Sequence, residues 1–205
     1  MPRSARDTLR AALCALGLLA APVAAQDRIP SHCIALAEGI ARVMPASFGT
    51  PLAADTVRLR YLNHASFAIE TAGGLVAVTD YTGFTGVRDF VPDVVTMNNA
   101  HSTHWTSRPD PCIPHVLPGW GDGVEPADYR LDLGEMLVRN VPTDVRGWGE
   151  GGVRANGNSF FIFEAAGLCI GHLGHLHHIP DDVQFAAIGR LDVVMVPVDG
   201  GYTLD

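Results

Sequence analysis

Two apolar runs far apart in the chain each end directly in a group of histidines, and this pairing most constrains what the chain can become. The first group follows the run 93–97 and comprises Asn99, His101, Thr103 and His104; the second follows the run 168–170 and comprises His172, His175, His177 and His178. Together they hold six of the nine histidines of the sequence. A strand that ends in a turn can aim closely spaced imidazoles at one point, and neutral imidazole is the commonest protein ligand for zinc and related metals. If both groups serve one centre, the fold must bring these two distant segments together. Taken singly, each histidine is equally well read as a hydrogen-bonded structural or surface residue.

The rest of the pattern is rich in short β-like runs, at 57–61, 66–70, 75–79, 94–97, 135–141, 159–164, 168–170 and 193–196, separated by turn formers such as Asn63-His64 and Gly73-Gly74. Apolar residues at Ile34, Leu36, Ala37, Ile40, Ala41 and Met44 have helical spacing, so one amphipathic helix is expected over 31–44, started by Ser31. A second helix is expected over 182–189. The stretch 105–123 is crowded with Pro, Gly, Asp and Trp without any period. It reads as a long ordered loop, and with Asp110, His115 and the 148–152 segment it is expected to frame a pocket mouth. Strands with few helices favour sheets covered by helices, an α/β (α+β) class, over a bundle.

The first residues do not read as part of a fold. Arg3, Arg6 and Arg10 precede an apolar stretch over 11–21, and Val23-Ala24-Ala25 offers the small residues of a cleavage site. The expected organisation is a signal peptide over 1–25, a helix and linker over 26–56, and one domain over 57–205, in a periplasmic or secreted protein. The 205 residues carry a net charge of −8, which becomes −10 without the three Arg and one Asp of 1–25. Such a balance disfavours nucleic acid and anionic membrane as partners and leaves a small-molecule substrate. Every basic residue is Arg. Of the cysteines left after the signal, Cys33 and Cys112 lie in loop-like, Pro-containing surroundings, whereas Cys169 sits in an apolar run, so Cys33–Cys112 is the preferred pair.

The order of five motifs carries a resemblance. Tyr61 to Phe67 with His64, the run 76–80 ending in Asp80, the run 93–104, His172 with His175, and 192–201 together resemble the metallo-β-lactamase superfamily, nearest to its ascorbate-phosphate lactonase-like branch. The resemblance implies a four-layer αββα sandwich and a zinc-type centre of one or two ions, with manganese or iron as alternatives. It places His101 and His104 at ligand positions and His172 at the next one. His175 stands where the superfamily has a bridging carboxylate, Asn99 replaces a ligand histidine, and Thr103 replaces a ligand aspartate. Asp80 corresponds to the acid that orients the metal loop, and His64 to a histidine at the pocket edge. A last ligand histidine would lie beyond Asp205, so the domain is read as incomplete at its C-terminus.

From this follows an expected three-histidine site of His101, His172 and His175, with His104 holding a weaker second ion or donating a hydrogen bond. Metal of this type lowers the pKa of bound water and polarises a carbonyl or phosphoryl oxygen. The expected activity is hydrolysis of a small ester, lactone, amide or phosphoester, with His104 and Asp80 in the catalytic apparatus. With Thr103 in place of an acid, His177 and His178 are the candidates to shuttle protons. Two other readings remain open: a binding protein that keeps the fold without catalysis, as Asn99 and Thr103 permit, and a histidine-rich metal carrier.

Overall fold

A computed structural model of the chain describes residues 31–35, 50–88, 90–147 and 152–198. The expected leader, most of the helix over 31–44 and residues 148–151 lie outside the described residues. The described strands form two five-stranded sheets. The first contains β1 (Val57–Asn63), β2 (Ser66–Thr71), β3 (Val76–Val78), β4 (Val94–Met97) and β5 (His115–Pro118) in chain order. Its first three strands are antiparallel, and β4 and β5 continue parallel to β3. The second contains β6 (Arg130–Asp132), β7 (Met136–Arg146), β8 (Val153–Ala165), β9 (Leu168–His172) and β10 (Val193–Met195), with only β10 parallel to its neighbour. Both sheets are therefore mixed.

The period of two along a strand decides what lies between them. Phe161, Phe163 and Ala165 of β8 and Ile170 of β9 meet Ile69, Ala77, Val94 and Leu117 of the first sheet in one buried cluster. The alternate residues Phe160 and Ile162 point to the opposite side and pack with Val141, Leu173, Leu176 and Ile188. Because both faces of each sheet are covered, the central strands read as continuous apolar runs rather than alternations. All four residues of β4 are buried.

The two outer faces are covered differently. Over the second sheet lies α2 (Asp182–Ile188), started by a capping box in which Asp181 accepts from the Gln184 backbone and Gln184 reaches back, with Ile188 as its buried residue. Beside it runs α1 (His32–Ala35). Over the first sheet, Tyr81 and Ile113, with Trp105 and Trp120, pack against Ala68, Val78, Val95 and Met97. The Trp/Pro-rich stretch expected to frame a pocket thus shields a sheet face instead. It also contains β5, hidden from pattern reading because four residues ending in Pro118 show no period. No described helix is long and apolar enough to cross a membrane.

The disulfide joins Cys33 to Cys169, not to Cys112, which is free and exposed. On β9, Ile170 points between the sheets, so Cys169 points outward, where the N-terminal segment lies. Strand parity thus turns a cysteine within an apolar run toward a partner in another layer. Next to it, the Glu164 carboxylate is buried and accepts from Ser31 Oγ, the His32 amide (3.0 Å) and Arg139 Nε (2.7 Å). Arg139 also donates to the Ala187 and Ile188 carbonyls at 2.6 and 2.8 Å, so one network ties α1, β7, β8 and the end of α2. Burial works to raise the Glu164 pKa, but the Arg139 and Ser31 bonds and the Arg139 and His32 charges outweigh it and hold the carboxyl below its ordinary range.

Candidate functional site

β4 and β9 belong to different sheets, yet their carboxyl ends lie at the same end of the sandwich. Asn98, fully buried immediately after β4, makes the connection: its backbone carbonyl accepts from Ser159 N at 3.1 Å, and its Nδ2 donates to Ser159 O (2.7 Å) and His172 O (3.4 Å). The fit requires glycine at position 174, where φ is +58° and an added Cβ would stand 2.1 Å from Asn98 Nδ2. Asn158 Oδ1 accepts from the His175 amide at 3.0 Å, and Asn158 Nδ2 donates to Thr143 Oγ1 at 2.7 Å. The two histidine segments are thereby locked to β8 and to each other.

Asp80 sets the geometry on the first segment. Fully buried at the turn after β3, with φ of +42°, it accepts from the Asn98 amide through Oδ1 (2.9 Å) and faces His104 Nδ1 through Oδ2 (2.6 Å). An ionised carboxylate can only accept, so the His104 proton sits on Nδ1 and Nε2 is turned to the other side. There it meets His175 Nδ1 at 3.2 Å. With its proton on Nδ1, His104 accepts a hydrogen bond from His175 Nδ1 through Nε2, and the separation is also close to the spacing of about 3.3 Å between tetrahedral ligands at zinc–nitrogen distances. The His101 ring is stacked on His175 with centroids 5.7 Å apart and is 5.9 Å from His104, and the His64 ring is 5.5 Å from His104. His101 Nδ1 is 3.0 Å from Thr103 Oγ1.

Other expected ligands stand elsewhere. His172 is buried beside this cluster, but its Nε2 donates to the Ala65 carbonyl at 2.9 Å and its Nδ1 faces Asn98 Oδ1 at 3.3 Å. Burial, ahead of the opposing Asp80 charge, pushes its pKa down, and the ring braces the β1–β2 turn. The rings of His101, His104 and His175 are therefore brought together, with His64 beside His104, while His172 Nε2 is turned to the Ala65 carbonyl. Asn99 is not aimed at a cation either: its Oδ1 accepts from Arg154 Nη2 at 2.6 Å. His178 is stacked edge-on against His177 and lines neither cavity at the cluster. Just before the pair, Leu176 turns into the core under α2, which carries His177 and His178 away from the site. Burial, then the His178 and Arg146 charges, lowers the pKa of His177.

The residues 58–205 match the family model described as "Beta-lactamase superfamily domain". The chain belongs to this superfamily. No curated protein matches it in sequence. Among solved structures it is similar to a protein from Thermotoga maritima assigned as a Zn-dependent hydrolase of the metallo-beta-lactamase superfamily, at 29% identity and TM-score 0.49, covering 73% of this chain and 65% of that one. The chain thus spans just under two thirds of that protein's length. It is also similar to a protein from Parabacteroides distasonis assigned as a metal-dependent hydrolase, at 15% identity and TM-score 0.53, covering 73% of each chain. This second likeness shows the fold, two mixed sheets packed face to face, and no more.

Whether this superfamily member's residues fit a metal is a question of donors. Among the described residues only His32, Cys33 and Cys169 bring three ligand atoms within 4.8 Å of one another, and there the two sulfurs are joined to each other. The cluster of His101, His104 and His175 is more open, with His101 exposed and the other two in register. Three imidazoles, one of them backed by a buried carboxylate, make a donor set suited to one zinc-type ion. Asn99 is committed to Arg154 and Thr103 stands in place of an acid, so among the described residues neither of these two positions offers a strong ligand for a second ion.

A cavity of about 550 Å³ opens over the cluster, lined by His64, His101, His104, His175, Arg146 and Arg154 among others. A second, of about 280 Å³, lies on the far side of His64 and His104, against Tyr61, Phe67 and Pro197. Arg146 and Arg154 have no sequence signal of their own. They reach the site because β7 and β8 run on beyond the strands flanking them, and the Asn99–Asn158 bridge pins that extension to the first histidine segment.

Proposed function

We propose that this protein is a hydrolase of a small ester, lactone, amide or phosphoester, dependent on one zinc-type ion held by His101, His104 and His175. The observation that carries the reading is the 3.2 Å separation of His104 Nε2 and His175 Nδ1, with His104 oriented from behind by Asp80 at 2.6 Å. When bound, such an ion supplies Lewis acidity, polarising a substrate oxygen and making water more acidic near neutrality.

The chain's own residues supply the rest. Asp80 holds the His104 proton on Nδ1, and Asn98 and Asn158 fix the segment that bears His175. His64 is exposed where the two cavities meet and has no hydrogen-bond partner among the described residues. In this reading its imidazole passes a proton to a departing alkoxide or amine, in place of the proton shuttle expected of His177 and His178. The walls of the cavity exclude part of the solvent around the reacting group. The same reading takes the protein to be an exported four-layer αββα sandwich, supported by the apolar outer faces of both sheets and the sequence pattern of 1–25.

The test combines metal content with turnover. Protein purified without a histidine tag should contain about one transition-metal equivalent and hydrolyse members of a chromogenic ester and lactone panel. Chelation and His175→Ala should abolish both. Stoichiometric metal without turnover of any panel member would favour the second reading, a binding protein, for which the Asn99–Arg154 bond is the supporting observation. Absence of metal after supplemented refolding would remove the hydrolase reading.

A further inference from the structure

The chain is acidic overall, at −8, yet no Asp or Glu occurs among the described residues that line the larger cavity. Its polar lining consists instead of four imidazoles and two guanidiniums alongside Asn99 and Thr103. A cation held by the histidines would be repelled by these arginines unless negative charge came between them. We propose that the cavity takes substrates bearing an oxyanion, a carboxylate or a phosphate, and that Arg154, assisted by Arg146, determines this specificity. The inference rests on the hydrolase reading for what happens next, and on the cavity alone for the binding.

Arg154 occupies a built position. It lies opposite Val145 in the β7–β8 register, and its Nη2 donates to Asn99 Oδ1 at 2.6 Å and to the Gly157 carbonyl at 3.4 Å. Its seat depends on the missing side chain of Gly157, where an added Cβ would stand 2.6 Å from Arg154 Nε and 2.6 Å from Val145 Cγ2. Both bonds use Nη2, while a guanidinium carries five donors in a planar fork whose geometry matches carboxylate and phosphate. Asn99 and Gly157 therefore orient the group and leave donors for a ligand. Arg146, at the end of β7, adds positive charge to the same rim. A volume of about 550 Å³ accommodates a small molecule with the anionic group at this rim and the scissile bond over the histidines.

The experiment is calorimetric titration of the full chain with inorganic phosphate and, separately, with succinate, at low and physiological salt. At least one anion should bind, and whichever binds more tightly identifies the preferred oxyanion. Arg154→Gln should weaken that binding about tenfold or more, the loss expected when a charged hydrogen-bond partner is removed. Gly157→Ala keeps the charge but displaces its seat and should weaken binding as well, with thermal melting used to select variants that remain folded. No binding of either anion by the wild type, or equal affinity in folded Arg154→Gln, would overturn the proposal. Anion binding by a wild type that turns over no ester would uphold it and sink the hydrolase reading. Turnover of neutral esters by a wild type that binds neither anion would do the reverse.

Discussion

Asp80 has no room for error: its two oxygens are divided between the start of the first histidine segment and the ring of His104. Asp80→Asn can keep an acceptor for the Asn98 amide, but an amide is a weaker partner for His104 Nδ1 and tolerates a different tautomer. A carboxylate behind a ligand imidazole raises its basicity and fixes its orientation. The variant should therefore lose metal affinity by about 10–100-fold, measured by competition with a chromophoric chelator. Equal affinity in folded wild type and variant would show that His104 is not a ligand. At the same scale, the sequence pointed to His101, His104 and His175 by spacing, but it could not separate them from His172. All four follow strands. What separates them is which way each ring points, and that depends on Ala65 in the β1–β2 turn and Asn98 just after β4, residues that carry no signal of their own.

Among the elements, β8 does most to define the molecule, and Glu164 near its end shows how. This carboxylate is buried against Arg139 of β7 and the first residues described at the N-terminal side. Glu164→Gln would leave the Arg139 guanidinium without its counter-charge, and breaking a buried pair in this way costs about 3–5 kcal/mol, to be read from urea unfolding. The folded pKa of Glu164 lies below its ordinary value of 4.5, so its share of the stability is complete above that value and is lost as pH falls through the folded pKa. Wild type should thus destabilise more steeply than Glu164→Gln on acidification below about pH 4.5. Parallel acid limbs would show that the carboxylate is not selectively stabilised. Of the other elements, β4 occupies the expected 94–97, and α2 ends one residue before the expected 189. Long apolar or periodic segments announce themselves, whereas β5 and β6 do not. β6 is three residues with two of them exposed, held by pairing with β7 rather than by any pattern of its own.

At the scale of the molecule, the disulfide between Cys33 and Cys169 ties the N-terminal segment to a central strand across a sequence separation of 136. Cross-linking restricts the unfolded chain, and removing such a bond typically costs about 2–4 kcal/mol. Cys33→Ser should lower the urea midpoint accordingly and should make stability insensitive to reductant. A midpoint unchanged from the oxidised wild type would mean that the bond adds nothing to the fold. The expectation of Cys33–Cys112 failed for a reason that belongs to this scale. Exposure judged from neighbouring Pro and loop residues ignores which layer each cysteine faces.

By itself, the sequence determined a β-rich chain and the close spacing of imidazoles in two segments after strands, because both are local properties of residue type and period. It also carried the superfamily resemblance, through motif order. The tertiary structure alone decided which histidines share a centre, which sulfurs meet, and which basic groups reach the cavity. Those outcomes follow from strand parity and from how far neighbouring strands extend, and both are set by contacts between residues far apart in the chain.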